Sequence, residues 1–155
     1  MPYYMKKTKK KERPSPLPDG ARRRRKTDYV KKLDKVFSQY IRLRDAMENG
    51  MARCISCGGV KPLEMFDNGH YHSRTHMSTR WDEDNCHAEC RFCNRFKADH
   101  MIGYRENLIR KIGQQRYDLL AWKARQSKHW AEFELKELVK HYTDMVKKLT
   151  KEKGL

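Results

Sequence analysis

Apolar residues keep a helical rhythm at both ends of this chain and lose it in the middle. Val30, Leu33, Phe37, Tyr40, Ile41 and Met47 fall on one face of a first helix running to about Asn49. Thr27 or Asp28 can cap its start, and Gly50 supplies a stop. Near the other end, Leu135, Leu138, Val139, Tyr142, Met145, Val146 and Leu149 form the stripe of a last helix, which must pack on a core or on a second copy. Two shorter helices precede it. One runs from about Asp99 to Ile112, closed by Gly113, with Ile102, Leu108, Ile109 and Ile112 inward; the next spans about Gln114 to Ala124. The middle has a different grain: a turn at Cys57-Gly58-Gly59, a hairpin around Met65 to His72, a polar loop from Ser73 to Asp84, and a short helix starting near Cys90. Short strands set among helices predict an α+β fold, with no internal repeat.

Composition changes this picture in one respect. Of 155 residues, 37% are hydrophobic and 36% charged, which allows one domain with little core. A domain so poor in core calls for a staple, and a structural metal is one. The net charge of +16 points to a polyanionic partner, because basic side chains displace the counterions condensed on nucleic acid. An anionic membrane is the competing partner, but the basic runs carry no amphipathic insertion face. No run approaches the roughly 20 apolar residues of a membrane span, and no apolar segment follows the basic start, so a secretory signal is not expected.

Residues 1–26 read as a disordered basic tail. Lys6 to Lys11 and Arg13, a Pro14-x-Pro16-x-Pro18 stretch, then Arg22, Arg23, Arg24 and Arg25 repel one another and offer almost nothing to bury. Such a tail tracks phosphates without reading sequence. The chain then divides into a helix over 27–50, a metal-stapled core over 51–98 and a helical region over 99–155.

Four of the five cysteines form two Cys-x2-Cys pairs, Cys54/Cys57 and Cys90/Cys93. Two such turns supply a tetrahedron of thiolates for Zn2+, and four thiolates leave no open position, so the role is structural. Metal-type spacing and an odd cysteine count argue for a reducing, intracellular setting with zinc rather than disulfides. Cys86 is then a small buried residue, and His87 is an alternative ligand. Thirty-two residues separate the pairs, so a sizeable insert lies between the knuckles.

That insert holds the candidate chemistry. Phosphodiester hydrolysis needs an activated water and relief of the charge building on phosphate and leaving oxygen. His70, on a hairpin strand, is the candidate base; Asn85 can fix its imidazole or brace the loop; Asn94, just past Cys93, can present an amide oxygen to a divalent cation. Arg74, Arg95 and Lys97 are candidate phosphate clamps. A nuclease of the His-Asn-His type uses this set of parts.

The run Asp67-Asn68-Gly69-His70-Tyr71, with Asn85-Cys86-His87-Ala88-Glu89-Cys90-Arg91-Phe92-Cys93-Asn94-Arg95-Phe96-Lys97, resembles the NinG (Rap) recombination endonucleases of lambdoid phages. Cys54-Ile55-Ser56-Cys57-Gly58 upstream, and Tyr104-Arg105, Leu108-Ile109 and Lys111-Ile112-Gly113 downstream, extend the similarity over about residues 30–150. The resemblance implies a small zinc-stapled ββα-metal core (HNH, or His-Me finger) flanked by helices. It also implies a phage- or prophage-encoded protein of the bacterial cytoplasm that cuts branched DNA, such as Holliday junctions and D-loops, in homologous recombination. Zn2+ would be structural and Mg2+ or Mn2+ catalytic. Many His-Asn-His nucleases carry Asp or His directly before the base as a metal ligand. Here Gly69 stands there, so Asp67 or His72 is the expected second ligand beside Asn94, with Asp67 ahead because Mg2+ prefers oxygen. Symmetric cutting of a four-way junction calls for two active sites, hence a homodimer, through the first or last helix, and recombination proteins are natural partners. The competing readings are a non-catalytic zinc-stapled DNA-binding accessory protein and an HNH nuclease with another DNA target; no recognition helix for sequence-specific cutting is evident.

Overall fold

The computed structural model describes residues 28–155; the basic tail, including Arg22 to Arg25, lies outside the described residues. Elements follow in the order α1 (Tyr29–Asp45), β1 (Met51–Arg53), β2 (Val60–Pro62), a 3-10 turn (Leu63–Met65), β3 (Phe66–His70), β4 (Cys86–Cys90), α2 (Arg91–Phe96), α3 (His100–Ile112), α4 (Gln114–Ala124) and α5 (Glu132–Lys153). The described residues form a small mixed α/β fold with two separate antiparallel strand pairs, β1–β2 and β3–β4. Among them no helix is long and apolar enough to cross a membrane.

α1 and α5 bury their apolar stripes against each other. Leu33, Phe37, Tyr40 and Ile41 meet Leu135, Val139 and Tyr142, and Trp81 and Cys86 close the cluster from the central region. Lys153 at the end of α5 donates to the carbonyls of Leu43 (2.7 Å) and Arg44 (3.2 Å), where the ladder of α1 runs out; the Leu43 carbonyl also accepts from the Ala46 amide at 3.3 Å. The last helix's stripe is therefore taken up within the chain.

Asp28, one of the two expected caps, starts α1, its side chain accepting from the Lys31 amide at 3.1 Å. Other local expectations need correction. Gly50 does not stop that helix: α1 ends at Asp45 and Ala46 is already extended. The Asp45 carboxylate accepts from the Ala88 amide at 2.9 Å and pairs with Arg44 and Lys111, pinning the end of α1 to β4 and α3. Gly50, at φ +71°, serves the turn into β1, and Met47 lies outside the helix and exposed. Ile102 is exposed at 64%; Tyr104, fully buried with Leu108, takes the inward place on α3.

The hairpin expected around Met65 to His72 is a wider one, with the polar loop inside it. β3 pairs with β4 in the register Phe66↔Cys90 to His70↔Cys86, so the connection is the whole loop from Tyr71 to Asn85. That loop is held as firmly as an element. Arg80 grips Asp34 of α1 through two bonds (2.9 and 2.6 Å), and the Trp81 indole N–H donates to the same carboxylate at 2.9 Å. On the other side the His76 ring faces the Ala124 carbonyl at 3.0 Å, and Trp130 donates to the Met77 carbonyl at 2.9 Å.

Candidate functional site

The knuckle at 54–59 is built by two backbone bonds: Gly58 N–H donates to the Cys54 carbonyl, and Cys54 N–H to the Gly59 carbonyl, both at 2.9 Å. Gly58 at φ +71° makes this turn possible. It brings Cys54 and Cys57 to the end of β4, where the last residue of the strand, Cys90, and Cys93 in the first turn of α2 complete the set. The four sulfurs lie within 4.8 Å of one another. Thiolates bound 2.3 Å from one zinc sit about 3.8 Å apart, so the cluster can hold a metal such as zinc with little adjustment. Burial pushes the Cys54 thiol up to about 11, and Cys93 is also raised. Four thiolates this close need a cation among them, and loading one displaces protons. Cys86 is buried elsewhere, against Trp81 and α1. His87 points to Arg44 and Lys111 (2.9 and 3.1 Å from Nδ1) rather than to the sulfurs.

The opposite end of the strand pair opens into a cleft of about 560 Å3 lined by Asn68, His70, Tyr71, Ser73, Arg74, Asn94, His100 and Met101. His70, the last residue of β3, has Nε2 3.1 Å from the Arg80 carbonyl. A carbonyl only accepts, so this contact calls for a proton on Nε2; the backbone of Asn68 is a second acceptor beside the ring. Burial holds the imidazole below the ordinary histidine value of 6.5, so it is neutral near pH 7. Arg80 is itself clamped to Asp34, which fixes the carbonyl that fixes the ring.

Asn85 sits immediately before β4, fully buried. Its Oδ1 accepts from the His72 amide (2.7 Å), and its Nδ2 donates to the carbonyls of His72 (3.0 Å) and Thr79 (2.9 Å). Of the two roles open to it, it braces the loop and makes no bond to the His70 ring. Its own carbonyl accepts from the Tyr71 amide at 2.9 Å, adding one bond past the end of the ladder, beside His70.

The remaining candidates divide. Asn94 lines the cleft, and its Nδ2 donates to Asp67 at 3.1 Å, leaving the amide oxygen free. Asp67 is held by Arg95 through two bonds (2.7 and 2.9 Å), with Arg91 at 3.7 Å, and these partners keep its carboxyl below its usual range against the opposing effect of burial. Arg95 is thus on Asp67, and Lys97 lies near Asp99 at 3.7 Å. Arg74 stands exposed at the cleft wall. His72 lies beyond β3, with its ring against Tyr71 and His76 and its Nε2 buried without a partner.

Two residues at this site escaped sequence reasoning. Glu89 is fully buried; its Oε1 accepts from the Ser56 hydroxyl (2.5 Å) and lies 2.6 Å from His100 Nδ1. His100 opens α3 and lines the cleft. The one available signal was Gly69: a side chain there would come within 2.7 Å of the Glu89 Cβ, so the glycine is what admits the carboxylate.

The chain matches the family model described as Bacteriophage Lambda NinG protein over residues 4–152. Protein ninG of Escherichia phage lambda is 30% identical over 123 residues, 78% of this chain and 57% of that protein. Its counterpart in Escherichia phage 933W is 34% identical over 91 residues, 58% of this chain and 43% of that protein, and the one in Salmonella phage P22 is 30% identical over 122 residues. The chain spans about half the length of these curated relatives. No solved structure matches it. Because the family model runs nearly from end to end, the chain belongs to the NinG family of bacteriophage proteins.

Proposed function

We propose that this protein is a metal-dependent DNA endonuclease of the His-Asn-His type, acting on branched recombination intermediates such as Holliday junctions and D-loops. The observation that carries the reading is His70. It is a buried, neutral imidazole, oriented by the Arg80 carbonyl, in a cleft with Asn94 and a free arginine. A protein that only binds DNA has no use for a neutral base oriented at its cleft.

In this reading β3, β4 and α2 form the ββα-metal core, with the cysteine cluster as its zinc staple. His70 takes the proton of the attacking water at Nδ1 and remains oriented through Nε2. Asn85 acts at one remove, holding the loop that carries the Arg80 carbonyl. Asn94 turns its amide oxygen toward the cleft because Asp67 engages its nitrogen. Mg2+ or Mn2+, when bound, lowers the barrier by stabilising charge on the phosphate and leaving oxygen. Arg74, with the basic surface of a chain of net charge +16, holds the DNA backbone near the cleft. Two symmetric cuts in a four-way junction take two copies of the site, so the working unit is a dimer on DNA. The α1 and α5 stripes are buried on each other, so a dimer through either helix would use its outer face.

The test is cleavage of a labelled four-way junction beside linear duplex of the same sequence, with and without Mg2+, for wild type and His70→Ala. Metal-dependent junction cutting is expected from wild type, with a loss of about 10²-fold or more in the variant. Tight binding with no cutting under any divalent metal would replace this reading with a DNA-binding accessory module.

A further inference from the structure

Taking a carboxylate out of water is costly unless a partner compensates it. Asp67 and Glu89, paired across the strands behind the cleft residues Asn94 and His100, meet this demand differently. Asp67 is saturated: both oxygens accept from the Arg95 guanidinium, one also from Asn94, with Arg91 beyond. Glu89 is more deeply buried and half satisfied. Its Oε1 serves Ser56 and His100, while Oε2, equally shielded from solvent, has no hydrogen-bond partner. Among the described residues it is the only carboxylate oxygen both buried and unpartnered.

Glu89 reaches its position through strand register. On one face of the pair, Asp67 lies across from Glu89 and Gly69 across from His87. With no side chain at Gly69, the Glu89 carboxylate leans into that space, beside the backbone of the residue preceding His70. His100 meets it from the start of α3, and α3 is brought close by a second glycine. At Gly103 a Cβ would collide with the Ser56 carbonyl, and Ser56 is the residue whose hydroxyl holds Glu89. His100 is 21% exposed and faces the cleft shared by His70 and Asn94. A carboxylate oxygen and an imidazole nitrogen 2.6 Å apart are near the separation of two adjacent ligands on one octahedral ion, about 3 Å for bonds of about 2.1 Å.

From this geometry we infer that Glu89 and His100 are the protein's ligands for a divalent cation at the cleft, Glu89 filling from the neighbouring strand the place that Gly69 leaves empty. Asp67 is the anchor of Arg95 and Asn94, not a ligand. A mixed carboxylate and imidazole pair suits Mn2+ at least as well as Mg2+. The inference rests on the nuclease reading only for the use of the ion, because binding is measured without DNA.

The experiment is titration of the zinc-loaded protein with Mn2+, followed by the loss of the free-ion electron paramagnetic resonance signal, with zinc content and melting temperature recorded for each variant. Wild type should bind one Mn2+. Glu89→Gln, which keeps the shape and removes the charge, and His100→Ala, at a partly exposed position, should each weaken binding at least ~10-fold with zinc retained, in line with the cost of losing a metal-site partner. Asp67→Asn and His70→Ala should bind Mn2+ like wild type. Unchanged Mn2+ affinity in His100→Ala, or a loss in Asp67→Asn matching that in Glu89→Gln, would overturn the assignment. If Glu89→Gln fails to fold, His100→Ala alone decides. Mn2+ bound through Glu89 and His100 in a protein that cuts no DNA would leave this site standing and remove the nuclease.

Discussion

The two ends of the β3–β4 pair hold sites of opposite character. At the Cys90 end, four sulfurs within 4.8 Å of one another face inward, and Cys54, Cys90 and Cys93 are almost fully buried. A metal there has all its ligands from protein, so the site is closed and its work is to hold β4, α2 and the knuckle together. At the His70 end the side chains are just as firmly placed, yet their bonding is unfinished: among the described residues Asn68 Oδ1 and His72 Nε2 are buried with no partner, and Glu89, one residue from Cys90, leaves Oε2 unpartnered where its carboxylate leans over Gly69. Unsatisfied groups cost stability, so a fold that retains them beside a cleft has kept capacity for something it binds. The same short ladder supplies both ends, which explains why a chain with so little core can still carry a rigid site: the closed end offsets the cost of the open one.

The strongest way to break this contrast is to attack the closed end. Cys90→Ser, or removal of zinc by a strong chelator, should unfold the central region, since structural zinc sites contribute on the order of 10 kcal/mol of apparent binding energy to folding. Zinc stoichiometry and a thermal melt read this directly. His70→Ala at the open end should leave both unchanged, and a melt as damaged as that of Cys90→Ser would mean the two ends are one structural unit.

Asn85→Ala should fall between these extremes. The residue is fully buried and makes three side-chain hydrogen bonds to the backbone of the loop. Leaving the His72 amide and two carbonyls unpaired should cost roughly 3 kcal/mol, measured by urea denaturation of the zinc-loaded protein. The α1–α5 pair and the cysteine cluster share no bond with this side chain, so zinc should stay bound. Loss of zinc in this variant would show that the loop brace and the knuckle fold together.

The closed end was far easier to read in the sequence than the open one, for a physical reason. Each Cys-x2-Cys turn is local, so two short patterns foretell a cluster without knowledge of the fold. The helices were legible too, because a stripe every three or four residues needs no partner to be recognised; α4 occupies the expected Gln114–Ala124. The end of α1 was not, since a long-range bond from the Ala88 amide to Asp45, and not Gly50, marks where it stops. β3 and β4 are joined by a loop held through Asp34 and Ala124, residues far away in sequence, so the pattern suggested a hairpin around Met65 to His72 instead. Glu89 was invisible for the same reason. Within Cys86–Cys90 it is one acidic residue in a strand, and only the register opposite Asp67 and the empty space at Gly69 give it meaning.

The mildest probe is pH, and it separates two histidines on one ladder. Burial lowers both His70 and His87 from the ordinary 6.5. In the unfolded chain each takes up its proton near that value, while in the folded protein each does so only at lower pH. Below pH 6.5 the unfolded state therefore binds more protons, and stability falls as pH falls through the window between the two values, by up to about 1.4 kcal/mol per pH unit for each group. The consequences differ because the surroundings differ. His87 is 2% exposed, with Nδ1 accepting from Arg44 and Lys111, so burial and two cations oppose its protonation while Asp45, 3.6 Å away, favours it. His70 opens on the cleft, where protonation removes the lone pair that the chemistry needs. His87→Gln should accordingly flatten the fall of stability between about pH 6.5 and 5. The acid limb of cleavage should stay where it is, below 6.5 and set by His70. Acid release of zinc acts in the same direction, so zinc is quantified at each pH and only the window before its release is compared. An acid limb that moved with His87→Gln would transfer the base from the open end of the ladder to its buried face.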